Sequence, residues 1–165
     1  MSDNVSPNPT VTLAPSLFDV IAWVETKTNC KLIRFEPATY QKLSTSRTDS
    51  EKLIISNIQK ACACSWGTAL MICCTSWGAT QIMGFNLWGP LGYTKSAIDF
   101  LENEADQHVM FLRFLRANKL GDFTPAMLAQ SNDARHHFAA VYNGTDSYAD
   151  LIAQSLAHFG LSVNP

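Results

Sequence analysis

The sequence predicts a single, mostly helical α+β domain, and three observations predict it. Apolar residues recur at helical spacing along most of the chain, as in Leu53, Ile54, Ile55 and Ile58. One early run, Lys31-Leu32-Ile33-Arg34-Phe35, alternates as a strand does and is closed by Pro37. The length, 165 residues, suits one core that buries roughly two thirds of the unfolded surface. Residues 1–15 read as a flexible N-terminal arm and residues 16–165 as the domain.

The elements follow in order. Pro15 and Ser16 start a helix reaching about Lys27, with Leu17, Ile21 and Val24 on one face and Glu25 delivered at its C-terminal end. The strand over 31–35 carries Glu36 just beyond it and belongs to a small early β-hairpin. Asp49 or Ser50 caps a second helix running toward Ala61. A helix from about 95 to 118 turns Ile98, Leu101, Ala105, Val109, Leu112 and Leu115 inward, with Asp99, Glu102 and Asp106 on its solvated face. Thr124-Pro125, Asp133 and Ser147 open three further helices, the last ending near Gly160. His136 and His137, beside Arg135, read as surface or cap residues.

Between Lys60 and Lys95 no residue is charged, a length sufficient to cross a bilayer. Gly67, Gly78, Gly84, Gly89 and Pro90 interrupt it, and Ser65, Thr68, Ser76, Thr80, Gln81 and Asn86 would need partners in lipid. It reads as a buried hairpin of core helices, without stable membrane insertion. Within it Ser65-Trp66-Gly67 returns as Ser76-Trp77-Gly78, eleven residues later. On an unbroken helix that interval of nearly three turns would set both indoles on one face.

Composition narrows the function classes. A formal charge of -2 and a pI near 6.0, with no basic run, argue against nucleic-acid binding. The N-terminus has neither the basic nor the apolar region of an export signal, which implies a cytosolic site of synthesis. Five cysteines, an odd number, then favour reduced thiols. Cys62, Cys64, Cys73 and Cys74 form C-x-C and C-C pairs, unlike the C-x2-C pairs of zinc sites, so no metal is expected.

The run Ser76-Trp77-Gly78-Ala79-Thr80-Gln81-Ile82-Met83-Gly84-Phe85-Asn86 resembles the signature of the phage N-acetylmuramidase family, itself lysozyme-like. The resemblance extends to Val24-Glu25, Phe35-Glu36, Leu91-Gly92-Tyr93 and 138–144, and covers most of residues 17–159. More distantly, Glu25, residues 78–83 and Tyr142-Asn143 are similar in order to motifs of goose-type lysozymes and lytic transglycosylases. Thr26 stands where that wider group has Ser, and Asp146-Ser147 replace its glycine-rich continuation. The resemblance implies a lysozyme-like α+β fold, a peptidoglycan glycan strand as substrate and no cofactor. The expected molecule is a monomer that acts on the bacterial cell wall, either released at lysis or carried in a virion.

Glycosidic cleavage needs a proton donor to the leaving oxygen, a role a carboxylic acid fills near neutral pH when an apolar setting raises its pKa. Glu25, beside Trp23 and Val24 at a helix end, fits that role, although the local sequence equally suits a surface glutamate. Glu36 reads either as a second catalytic carboxylate or as a brace beside Arg34. Gln81, Tyr142, Asn143 and Asn86 offer polar groups to N-acetyl sugars, and Trp77 offers a stacking face, though an indole in an apolar run also suits the core. The sequence thus points to a muramidase cleaving between N-acetylmuramic acid and N-acetylglucosamine. A lytic transglycosylase and a catalytically silent glycan-binding or virion module remain as alternatives.

Overall fold

The computed structural model describes residues 14–165, so most of the expected N-terminal arm lies outside the described residues. Helix α1 (Leu17–Thr26) starts where Ser16 accepts from the Asp19 amide while the Asp19 carboxylate accepts from Ser16. It stops at Lys27, which adopts the left-handed conformation with φ 52°. Val20 and Ile21 are fully buried, and the last turn carries Glu25.

Strand β1 (Ile33–Phe35) is followed by α2 (Pro37–Thr45), which sequence periodicity does not reveal because only Leu43 is buried along it. Thr48 and Glu51 form the capping box of α3 (Asp49–Cys62), so the cap falls one position before Asp49. Ser65 caps α4 (Trp66–Cys73), and Thr75 opens β2 (Thr75–Trp77). Strand β3 (Ile82–Met83) runs directly into α5 (Gly84–Leu87).

Two expectations are corrected here. The early strand has no early partner: β1 pairs antiparallel with β2, Arg34 opposite Ser76, and the order β1-β2-β3 makes β2 central. The uncharged stretch is not a hairpin of helices either, because the β2–β3 hairpin lies at its middle, between α4 and α5, with Trp77 opposite Ile82. The two copies of Ser-Trp-Gly adopt different structures. The first forms the cap and opening turn of α4, whereas the second ends a strand at Gly78, whose φ of +73° suits glycine. Trp66 and Trp77 therefore share no helix face.

The long helix expected over 95–118 is two helices, α6 (Ala97–Glu102) and α7 (Glu104–Ala117). Asn103, at φ −116° and ψ 95°, closes the first and caps the second by accepting from the Asp106 amide. One non-helical residue shifts the phase, so α7 buries Gln107, Met110, Phe111 and Leu115. Ile98, Val109 and Leu112 are left 67, 46 and 50% exposed.

The last three helices are α8 (Pro125–Gln130), α9 (Asn132–Tyr142) and α10 (Ser147–His158). Arg135 is buried, and its guanidinium donates to Leu128 O, Asn132 Oδ1 and Asn164 O, tying the C-terminal segment to α8. His136 and His137 are less buried, the first 3.1 Å from Asp146 and the second stacked on Phe123. Buried residues from α1 through α10 form one core in which α10 packs against both α1 and α9. No helix among the described residues is long and apolar enough to cross a membrane.

Candidate active site

Glu25, Glu36, Gln81, Asn86, Tyr142 and Asn143 line one cleft of about 160 Å3, together with Arg34, Ser76, Ile82, Met83 and Phe114. The cleft lies where the end of α1, the exit of β1, the β2–β3 hairpin and the end of α9 meet.

Glu25 accepts a 2.7 Å hydrogen bond at Oε1 from the Tyr148 hydroxyl. Burial raises its pKa above the ordinary 4.5, while the Tyr148 bond and the positive charge of Arg34 pull it down. Burial wins, so the carboxyl keeps its proton to higher pH than a surface glutamate does. Tyr148 stands in the first turn of α10, and burial pushes its phenol well above the usual value. Thr26 anchors the same helix end, its hydroxyl lying 3.0 Å from Ala22 O and 3.1 Å from Ala79 O. The hydroxyl at this position thus joins α1 to the β2–β3 turn.

Glu36 accepts a 2.7 Å hydrogen bond at Oε1 from Arg34 Nε, and the Ser76 hydroxyl lies 3.3 Å from the same oxygen. Ser76 Oγ is also 3.0 Å from Met83 Sδ, so this hydroxyl sits between Glu36 and the neighbouring strand. Arg34 joins the two carboxylates electrostatically, pairing with Glu36 while lowering the pKa of Glu25.

Gln81 occupies the β2–β3 turn with φ 50°, a left-handed conformation uncommon outside glycine. Its Nε2 donates to Gly78 O at 2.9 Å and to Leu32 O at 3.2 Å. Its Oε1 is buried with no partner among the described residues. The turn is held from behind by Gln107, which is 1% exposed. Gln107 Oε1 accepts from the Ala79 amide at 2.9 Å, and its Nε2 donates to Cys30 O and Phe100 O.

Tyr142 donates to Thr80 O at 2.8 Å, and its ring stacks between Phe138 and Tyr148. It supports the turn from the side, while the hydroxyl that reaches Glu25 belongs to Tyr148. Asn143 ends α9, its Oδ1 accepting from Thr145, and Asn86 projects from α5.

Trp77, expected to stack on sugar, does not line the cleft. Strand alternation sends Ser76 to the cleft and Trp77 to the core, where the indole is 7% exposed. It donates to Ile72 O at 3.0 Å and meets Trp88 edge-on. Of the residues missed in sequence, Ser76 could have been found from that alternation. Tyr148 and Gln107 carried no local signal, since their partners lie 123 and 28 residues away for Glu25 and Ala79. Among the described residues no three His, Cys, Asp or Glu side chains cluster to hold a metal.

Comparison with known proteins shows the family. The model of the N-acetylmuramidase family matches residues 22–159. The chain is 49% identical over 146 residues to an endolysin of Enterobacteria phage PRD1, an alignment covering 88% of this chain and 97% of that protein. No solved structure matches. With the family match spanning both glutamates, the hairpin and the end of α9, the chain belongs to the N-acetylmuramidase family, glycoside hydrolases that degrade peptidoglycan.

Proposed function

We propose that the chain is an endolysin that hydrolyses the bond between N-acetylmuramic acid and N-acetylglucosamine, with Glu25 as general acid. The observation that carries the proposal is a half-buried carboxyl of raised pKa, fixed by Tyr148 and sharing a cleft with Glu36. Protonated Glu25 delivers its proton to the oxygen leaving the muramic acid anomeric carbon. Glu36 keeps one oxygen on Arg34 and leaves the other to orient water or to stabilise positive charge on the sugar ring. Gln81 and Asn143 present amides, and Asn86 a third, for hydroxyl and N-acetyl groups of the glycan.

Clearing of purified cell walls tests the assignment. Glu25→Gln should fold as the wild type and lose at least about 100-fold in rate, the usual scale for removing a general acid. Near wild-type clearing by the folded variant would overturn the role of Glu25. Wall binding without clearing by the wild type would instead mark a silent glycan-binding module. Mass spectrometry of the products addresses the reaction type, with free reducing ends expected. Anhydromuramic ends as the main product, with cleavage retained in Glu36→Gln, would mean that the muramic acid hydroxyl replaces water.

A further inference from the structure

We propose that the open edge of β1 binds the peptide stem branching from the muramic acid in the cleft. The inference rests on the muramidase reading and extends it from the sugar to the peptide. The register of the sheet supplies the first observation. Gly78 N donates to Leu32 O and Glu36 N donates to Cys74 O, each at 2.9 Å. In an antiparallel ladder such bonded pairs alternate, so Arg34 exchanges bonds with Ser76 while Ile33 and Phe35 do not bond β2. The N–H and C=O groups of Ile33 and Phe35 therefore point away from β2, along the free edge of the sheet. Among the described residues no loop or side-chain hydrogen bond reaches them.

The second observation is continuity with the cleft. The residues that alternate with these two, Arg34 and Glu36, line the cleft. A ligand leaving the cleft along β1 would meet a row of free backbone groups. Ile33 and Phe35 are 53 and 41% exposed, so apolar side chains flank that row.

The third is charge. Between Glu25 and Glu36 every charged residue is basic: Lys27, Lys31 and Arg34. Arg34 spends Nε on Glu36, and its side chain remains 57% exposed. A peptidoglycan stem is a short chain of amides rich in carboxylates, and it starts on the lactyl ether of muramic acid. Its amides suit the edge by strand addition, and its carboxylates suit the two outer cations, Lys31 and Arg34.

The test compares uncross-linked glycan strands that keep their stems with the same strands stripped by an amidase. Wild-type kcat/KM should be about fivefold or more higher on stem-bearing strands, mainly through KM, since strand addition contributes ground-state binding. Ile33→Pro removes one outward N–H at an edge that tolerates proline and should bring the ratio of the two rates toward one. If that variant melts early, Lys31→Glu should lower the same ratio through charge. The free tripeptide L-alanyl-γ-D-glutamyl-meso-diaminopimelate should shift the amide resonances of Ile33 and Phe35. Equal kcat/KM on both substrates, or an unchanged ratio in both variants, would overturn the proposal. So would a dimer in light scattering that Ile33→Pro abolishes, because the edge would then serve a second copy. Cleavage of neither substrate alongside a tripeptide-induced shift would reject the muramidase reading and keep the stem site.

Discussion

Tyr148 shows how one side chain shifts the titration of another. Its hydroxyl favours the ionised form of Glu25, whereas burial favours the protonated one. Tyr148→Phe removes the first influence and leaves the second, so the pKa of Glu25 should rise further. With Glu25 as the proposed general acid, activity is lost as pH climbs through that pKa, and the basic limb of kcat/KM should move to higher pH in the variant. A role confined to packing would lower the rate at every pH and leave the limb in place. Two carboxylates and three amides that line the cleft were legible as residue types: Glu25, Glu36, Gln81, Asn86 and Asn143. Their partners were not. Tyr148 bonds Glu25 only because α10 packs on α1, a contact that no local pattern encodes.

Between elements, Gln107 holds the hairpin to the helices. One buried amide bonds the turn at Ala79, the segment before β1 at Cys30 and the end of α6 at Phe100. The fit is tight, since a Cβ on Gly78 would lie 2.5 Å from Gln107 Oε1. Gln107→Leu would leave three backbone groups without partners, each costing about 1–3 kcal/mol when buried. Urea denaturation should show a loss of roughly 3 kcal/mol or more on that scale, with activity falling because the turn also presents Gln81. The break at Asn103 puts Gln107 in position. Read as one helix from 95 to 118, the sequence points Ala105, Val109 and Leu112 inward. The inserted non-helical residue turns Gln107, Met110 and Phe111 there instead. Capping signals read well elsewhere, as at Ser16 and Thr124, whose hydroxyls cap α1 and α8, while α10 begins at Ser147 as expected but without a side-chain cap.

For the whole molecule, keeping a carboxyl half-buried at the meeting point of four elements costs folding free energy once that group ionises. The native pKa of Glu25 lies above its ordinary 4.5, so the native state holds this proton more tightly than the unfolded chain. The resulting stabilisation is fully present below pH 4.5 and is lost as pH rises through the native pKa. Glu25→Gln cannot ionise and still offers an acceptor to Tyr148. It should therefore melt higher than wild type at pH 7, with the gap closing as pH falls below 4.5 in calorimetric scans. A variant that loses activity while gaining stability is the expected signature of a functional group held in an unfavourable setting.

Helical periodicity, capping residues and the run from Ser76 to Asn86 determined the mostly helical α+β class, most helix starts and the family. These are local features, fixed by spacing along the chain and by side chains reaching three or four residues away. Tertiary structure decided the rest. It paired β1 with a strand some forty residues on, a partner set by long-range packing that no turn near β1 specifies. It sent Trp77 into the core and Ser76 into the cleft, since a strand divides neighbouring residues between its faces. It also gave Glu25 its raised pKa, because desolvation depends on what α10 and the hairpin pack around the carboxyl and not on the residues beside it in sequence.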